Sequence, residues 1–305
     1  MKTKLGVEAA MLSISRVGLC VVFMVGASVA RGETYTAPAS SAEVLGRAPL
    51  SGVPVANDWK AEIAECGSKG TVGGQLVQGC GRWCDDQLRV NGKANSKCTR
   101  AGQLLSKPHP RKNTAILKLR DGTILFDAKL SLDTDGPGTI QGDSTRQLTT
   151  SLTYSDSKYR KYDKYLNAGA IPFIVVPPTL RTRAQIEIGD LAAVVSGNRI
   201  AYAVVGDSGP AYNLGEGSLK LHQELGHNVC TETDPLTGGC TKVDDVDFPT
   251  AVIYLVFPGS FRVLCKDSVP GKLCPALTPD NLAAQIGAKG KEAFERFKGN
   301  VLAGH

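Results

Sequence analysis

Ala201–Gly226, AYAVVGDSGPAYNLGEGSLKLHQELG, is the stretch that decides how the chain is interpreted. Its apolar start, residues 200–205, predicts a buried strand, and the turn-forming residues 206–210 predict that this strand ends in a loop. A helical pattern begins near residue 219 and stops at Gly226. The strand therefore delivers Asp207 to a loop, and Glu216 follows nine residues later near the start of the helix.

Two carboxylates on one strand–loop–helix unit are typical of acid–base hydrolysis of a glycosidic bond. Inverting glycosidases hold an acid and a base about 6.5–9.5 Å apart, with room for a water molecule between them. The glycines and the proline between Asp207 and Glu216 allow the loop to fold back and bring the two together. The ordinary alternative is that each acid forms a turn or, for Glu216, lies beside a helix N-terminus.

The composition favours a strand-rich fold. The 305 residues include 34 glycines and 16 prolines, which predicts many turns. Strands are predicted at residues 115–119, 123–132, 171–176, 191–195, 199–205 and 251–257, with helices after residue 218 and from Thr278 as N-cap. The fold class is therefore α+β, mainly β: a small β-barrel or sandwich with a few helices, stapled by disulfides.

The chain divides into five predicted segments. Residues 1–30 combine basic residues, an apolar run and a small-residue cleavage site ending at Ala30, as in a secretory signal peptide. Residues 31–58 are a linker or extended arm, and residues 59–112 form a Cys-rich segment. The catalytic domain is predicted at 113–262 and a C-terminal disulfide loop and helix at 263–305. We expect a secreted or periplasmic protein with no stable membrane anchor after cleavage.

Eight cysteines remain after residue 30, and disulfides are the default in an exported protein. Cys230–Cys240 and Cys265–Cys274 are the expected pairs of the second group, since each closes a short loop. The first group, Cys66, Cys80, Cys84 and Cys98, has three possible pairings. Its spacing differs from that of zinc ribbons, so we expect no metal.

The net charge argues against nucleic acid as a partner. Loss of Lys2, Lys4, Arg16 and Glu8 with the leader lowers it from +6 to +4. Tyr154, Tyr159, Tyr162 and Tyr165 have two interpretations, a surface helix or loop and a set of sugar-stacking aromatics.

Three competing motifs are incomplete. Ser208 stands in a segment like that around the nucleophile of trypsin-like proteases, but only His109 precedes it, without that class's histidine motif. His222 and His227 are five residues apart and do not form HExxH, and Gly215-x-Gly217 lacks the lysine of a phosphate loop. No nucleotide and no other cofactor is expected.

The central motif resembles that of glycoside hydrolase family 75, the fungal chitosanases. The matching residues are 201–207, Gly215–Leu219 and Leu225-Gly226, with the acidic turn of residues 126–136 (FDAKLSLDTDG) and the closing strand of residues 252–260 (VIYLVFPGS). The resemblance implies inverting cleavage of β-1,4 bonds in chitosan, with Asp207 and Glu216 as the catalytic pair. The chain departs from the fungal pattern at Gly217, where fungal members often have Ala, and in its Cys-rich segment.

Roles follow for the remaining acids. A helix N-terminus favours the ionised form of Glu216, which makes it the base and Asp207 the acid. Asp133 and Asp135 are expected to bind a substrate ammonium or to support the pair. Asp245, in the acidic loop 244–247, is a further expected substrate contact.

The predicted function is endo-acting hydrolysis of chitosan or a related amino-sugar polymer. The alternative is a non-catalytic carbohydrate-binding or envelope protein on the same scaffold.

Overall fold

A computed structural model describes residues 33–34, 69–72, 75–83, 104–105, 114–119, 121–155, 158–210, 213–244 and 248–302. All of them belong to one unit, residues 32–305. The predicted signal peptide and nearly all of the linker and Cys-rich segment lie outside the described residues, as do the side chains of Cys66, Cys80, Cys84, Cys98 and Asp245.

Thirteen strands occur in the described part of the chain. In chain order they are β1 (Glu33–Thr34), β2 (Lys69–Val72), β3 (Gln75–Trp83), β4 (Leu104–Leu105), β5 (Thr114–Lys118), β6 (Ile124–Asp133), β7 (Phe173–Val175), β8 (Leu191–Ser196), β9 (Arg199–Asp207), β10 (Glu216–Ser218), β11 (Cys230–Thr233), β12 (Cys240–Val243) and β13 (Phe248–Phe257).

Eleven of these strands share one sheet, which folds back on itself. Its order is β10-β7-β9-β8-β13-β6-β5-β3-β2, and β10 also pairs with β6. Six strands are therefore linked in a ring, in which β10 pairs antiparallel with β7 and parallel with β6. β11 and β12 form a separate hairpin. The prediction of a mainly β, α+β fold is confirmed.

In the described residues, four helices accompany the sheet: α1 (Pro178–Ala184), α2 (Leu219–Glu224), α3 (Phe261–Leu264) and α4 (Leu282–Leu302). α4 packs on β8 and β9, where Phe294 lies 6.3 Å from the ring of Tyr202. Phe297, Leu282 and Ile286 complete its buried face, as the periodicity predicted. None of the helices in the described residues is long and apolar enough to span a membrane.

The start of α4 was predicted too early. Residues 279–281 form a turn, in which the backbone N–H of Thr278 donates to Asn281 Oδ1, 2.9 Å away, and the helix begins at Leu282. Pro178, which follows the predicted strand at residues 171–176, starts α1. The hairpin of β11 and β12 lies in a segment for which no strand was predicted.

Two disulfides are those predicted from spacing. Cys230 is bonded to Cys240, and Cys265 to Cys274. The first joins the two strands of the β11–β12 hairpin, and the second closes the segment that follows α3.

Ser218 shows why β10 takes its place in the ring. Its side chain is fully buried, accepts hydrogen bonds from the N–H groups of Phe173 (3.0 Å) and Leu221 (3.2 Å), and donates to the carbonyl of Ile171 (2.8 Å). One hydroxyl thus caps α2 and fixes β10 against the start of β7.

Candidate active site

A polar cleft of about 770 Å³ opens where β6, β7 and β9 end and β10 begins. Its lining includes four of the five acids predicted from the sequence, Asp133, Asp135, Asp207 and Glu216. The fifth, Asp245, lies outside the described side chains. The lining also contains Lys129, Ser131, Asp143, Thr150, Ser151 and Asn213.

Strand register brings the predicted pair to one cleft. Glu216 on β10 is paired with Val175 on β7, and Val175 is paired with Asp207 on β9. Paired residues project to the same side of a sheet, so both carboxyl groups face the cleft. Neighbouring strands lie about 4.8 Å apart, which puts the two backbones about 10 Å apart.

The carboxyl group of Asp207 is held by hydrogen-bond donors. Its Oδ1 accepts from the Ser151 N–H (3.0 Å), the Ser151 hydroxyl (2.6 Å) and the Ser208 N–H (2.6 Å). Asp207 is only 9% exposed. Because one oxygen takes all three bonds, the group is fixed in orientation at the end of β9.

Glu216 has a different environment. Its Oε2 accepts one hydrogen bond, from Asn213 Nδ2 at 3.2 Å. The residue is partly exposed to the cleft, but protein surrounds its carboxyl group, and this loss of hydration raises its pKa to about 8. The Lys129 ammonium lowers the pKa, while Asp135, Asp207 and Asp143 add to the rise.

This result contradicts the expected effect of the helix on Glu216. The residue lies in β10, before the N-cap Ser218, rather than in the first turn of α2. Loss of hydration outweighs a helix dipole, whose effect falls off within one turn. Burial therefore favours the protonated form of Glu216, the opposite of the effect expected from a helix N-terminus.

Asp133 and Asp135 form an acidic turn beside the pair. The Asp135 N–H donates to Asp133 Oδ1 (2.6 Å), and the Gln147 N–H donates to Asp135 Oδ1 (2.5 Å). Burial raises the pKa of Asp135 to about 6 and that of Asp133 well above its usual range, where Glu216 and Asp135 add to the effect. Asp133 is 4% exposed.

Arg146 holds this turn from the side. Its Nε donates to the carbonyl of Thr134 (3.0 Å), and its Nη2 donates to the carbonyls of Gly136 (2.7 Å) and Gly138 (2.8 Å). Its charge also lowers the pKa of Asp135. The shape of the acidic turn thus depends on a cation that the sequence analysis did not identify.

Oxygens of Asp133, Asp135 and Asp207 lie within 4.8 Å of one another. Such a set suits a substrate ammonium, and its oxygens are also the ligands that divalent cations prefer. Three carboxyl groups alone identify no metal ion.

Several cleft residues were missed by sequence reasoning. Ser151 and Asn213 are recognisable only once register places them beside the two acids. Lys129 carried a usable signal, because it alternates with Ser131 and Asp133 on one face of β6. Lys129 is only 3% exposed.

The serine and histidines of the competing protease and zinc motifs make structural contacts instead. Ser208 Oγ accepts a hydrogen bond from Arg181 Nη1 (3.3 Å), and His109 lies outside the described residues. His222 is fully buried with Nε2 3.2 Å from the Ser131 carbonyl, and His227 Nε2 lies 3.0 Å from Ser196 Oγ. The tyrosine group is divided between a buried Tyr154 and an exposed Tyr162 on a loop.

The chain matches a model of a known protein family. A family model described as fungal chitosanase of glycosyl hydrolase group 75 matches residues 130–295, more than half of the chain. The match includes Asp133, Asp135, Asp207 and Glu216. No curated protein matches the chain.

Proposed function

Because the chain belongs to the fungal chitosanase family, glycosyl hydrolase group 75, we propose that it cleaves β-1,4 bonds within chitosan or a related amino-sugar polymer with inversion. It is a glycoside hydrolase of the chitosanase type. The observation that carries the finer proposal is that Glu216 and Asp207 face one cleft from opposite sides of β7, in contrasting environments.

Glu216 is the general acid in this proposal. Its pKa of about 8 keeps it protonated at neutral pH, so it has a proton to give to the glycosidic oxygen as the C–O bond breaks. Asn213 orients the carboxyl group through its hydrogen bond to Oε2. Lys129 lies near enough to lower the pKa of Glu216, and thereby stabilises the carboxylate that remains after proton transfer.

Asp207 is the general base. Ser151 and Ser208 direct three hydrogen-bond donors at Oδ1, which leaves Oδ2 to accept a proton from a water molecule. That water attacks the anomeric carbon on the face opposite the leaving group. Room for this water requires the two carboxyl groups to lie about 6.5–9.5 Å apart, the separation of an inverting pair.

Asp133 and Asp135 bind a glucosamine ammonium in this proposal. Their oxygens and those of Asp207 converge within 4.8 Å, as a cation requires. A cationic chain also offsets the repulsion that raises the pKa values of the cluster. Asp245 and the acidic loop remain a predicted extension of this surface.

We further propose that the protein is exported and acts on its polymer outside the cell. The two disulfides and the predicted leader support an oxidising compartment.

Chitosan hydrolysis by three variants tests the assignment. We expect Glu216→Gln and Asp207→Asn each to lower kcat by about 10²–10⁴-fold, since each removes a proton-transfer group. Asp267→Asn, at an exposed acid that does not line the cleft, is the matched control and keeps full activity. NMR of the first product gives the α-anomer for inversion. Full activity in either catalytic variant, or a β-anomer, would contradict the proposal, and wild type inert on chitosan and chitin would favour the binding-protein alternative.

The pH profile separates the two roles. We expect kcat to fall as pH rises through about 8, where Glu216 loses its proton. At saturating substrate, ionisation of the unbound polymer does not affect the measured kcat. A profile that stays flat to pH 9 would contradict Glu216 as the acid.

A further inference from the structure

We infer that Lys158–Tyr165 is a binding surface for an anionic polysaccharide, separate from the catalytic cleft. The stretch reads KYRKYDKY and has four basic residues and one acid, a net charge of +3 over eight residues. None of its residues lines the cleft. Basic and aromatic residues that alternate in this way are typical of surfaces that bind acidic chains. The net charge of the whole protein is mild, so this local cluster of basic residues is not evident from the total charge.

The basic residues of the run all point into solvent. Lys158, Arg160, Lys161 and Lys164 are exposed, and the run also presents Tyr162, which is 38% exposed. Each of three lysine ammonium groups lies over the ring of the next tyrosine, at 5.3, 4.9 and 5.1 Å from Tyr159, Tyr162 and Tyr165. Cations and ring edges therefore share one surface.

The fold holds this surface in a defined shape. The Tyr154 N–H donates to the Lys164 carbonyl (2.8 Å), and Thr153 and Tyr165 form an antiparallel bridge. The ring of Tyr159 packs 5.3 Å from that of the buried Tyr154. Because these contacts fix the backbone, the cations are presented together before any ligand arrives, which lowers the entropic cost of binding.

The proposed substrate does not account for these charges. A chain of ammonium groups is attracted by the acidic cleft and repelled by a surface of net charge +3. Like charges on neighbouring residues also repel one another in the free protein. A ligand that carries carboxylate or sulfate groups is complementary to the cations, and its sugar rings offer apolar faces to tyrosine.

Position favours a polysaccharide over other polyanions, and this choice rests on the proposed function. Thr150 and Ser151 line the cleft, and Thr153 and Tyr154, two residues further along, are bonded to the surface. The surface therefore continues from the wall of a cleft that takes a sugar polymer. An acidic glycan bound there would hold the enzyme in a matrix where its cationic substrate lies, without blocking cleavage.

Binding to dextran sulfate, with neutral dextran of equal length as reference, tests the inference. We expect the full-length protein to bind the sulfated polymer, with affinity that falls as salt rises. The triple variant Arg160→Ala/Lys161→Ala/Lys164→Ala should raise Kd by at least about tenfold, since three charge contacts are lost. The matched control Arg296→Ala/Lys266→Ala/Lys291→Ala removes the same charge from other exposed positions and should leave Kd unchanged.

Two further arms complete the test. Tyr162→Ala should weaken binding while the charge stays constant, and chitosan cleavage should persist in the triple variant. Equal Kd values for the triple variant and its control would overturn the inference. So would binding of a single-stranded oligonucleotide or of anionic vesicles at least as tight as that of dextran sulfate. Chitosan cleavage is measured separately from dextran sulfate binding. Failure of the proposed hydrolysis can therefore be distinguished from failure of the binding inference.

Discussion

Gly209 lies between the two catalytic candidates and contacts the surroundings of both. A Cβ at this position would lie 2.6 Å from Val175 Cγ1 and 3.0 Å from Glu216 Oε2. Val175 is the residue that separates Asp207 from Glu216 in the sheet. The absence of a side chain at residue 209 therefore allows the Glu216 carboxyl group to occupy its observed position.

We expect Gly209→Ala to lower kcat by about 10- to 100-fold, because a shift of about 1 Å in a catalytic group has effects of this size. Gly299→Ala, on α4 where a Cβ meets nothing within 4 Å, is the control. Chitosan hydrolysis at saturating substrate measures the effect. Unchanged kcat in Gly209→Ala would show that Glu216 tolerates displacement and is not positioned by this contact.

At the residue scale, the sequence predicted the acidic residues of the cleft but not the residues that hydrogen-bond to them. Asp207 and Glu216 were recognisable because turn residues and a known motif surround them. Ser151 lies 56 positions from Asp207 and carries no motif, so its hydrogen bonds became visible only in the folded chain. The role expected for Glu216 was wrong in its physical premise, because burial was not readable from the letters around it.

Among the six strands of the ring, β10 is the one that the sequence did not predict. Its three residues include a glycine and lack any β-branched side chain, so no strand pattern is present. Its pairing is specified by the hydrogen bonds of Ser218 and by the neighbouring strands. β6, β8, β9 and β13 were predictable because each is a long apolar run bounded by turn residues.

Two glycines of α4 provide a prediction about how the helix packs, one as the test and the other as its control. A Cβ at Gly290 would lie 2.6 Å from Tyr202 Cβ, whereas one at Gly287 would meet nothing within 4 Å. We expect Gly290→Ala to lower the free energy of unfolding by about 1–3 kcal/mol through overpacking. Gly287→Ala should raise it by about 0.5–1 kcal/mol through helix propensity.

Urea denaturation of both variants measures these changes. Equal effects of the two substitutions would mean that α4 does not pack on β9 through Gly290.

The β11–β12 hairpin supports a wall of the cleft. The Gln141 N–H donates to the Thr241 carbonyl and the Val243 N–H to the Gln141 carbonyl, each at 2.8 Å. Gln141 lies two residues before Asp143, which lines the cleft. The Cys230–Cys240 disulfide therefore affects how Asp143 is presented.

We expect Cys230→Ser/Cys240→Ser to raise KM for chitosan about fivefold, which corresponds to about 1 kcal/mol of lost positioning. Cys265→Ser/Cys274→Ser opens a loop of similar length and should lower the free energy of unfolding by about 2–3 kcal/mol without changing KM. Steady-state kinetics and urea denaturation separate the two outcomes. A KM change in both variants, or in neither, would exclude a specific role for the hairpin.

For the molecule as a whole, buried acids link stability to pH. Burial raises the pKa of Glu216 to about 8 and the pKa values of Asp135 and Asp190 to about 6. A carboxyl group that binds its proton more tightly in the folded state contributes stability that is fully present below about pH 4, its unfolded pKa range. This contribution is lost as pH rises through about 6 and then about 8.

We therefore expect the free energy of unfolding to fall between pH 6.5 and pH 8.5, and Glu216→Gln to reduce that fall. Urea denaturation across this range is the measurement. The range avoids the opposite effect of His227, whose pKa is lowered to about 4 by burial and which costs stability only below about pH 6.5. A wild-type free energy that rises with pH would contradict the assigned burial of these acids.

The overall class of the fold was predictable, but the strand order that forms the ring was not. Glycine and proline content, apolar runs and cysteine spacing indicated a mainly β, disulfide-containing chain. The ring depends on β10 pairing with strands distant in sequence, and such register is set by packing that no local pattern records.

The double pairing of β10 also makes the proposed catalytic centre depend on contacts between distant segments of the chain. Its partner strand β6 precedes it by about 80 residues, and contacts between distant segments form slowly because loop closure must come first. Until β10 is inserted, Glu216 has no cleft and no neighbouring aspartates. Enzymatic activity should therefore report on completed folding, since Glu216 reaches the cleft only once β10 has joined β6 and β7.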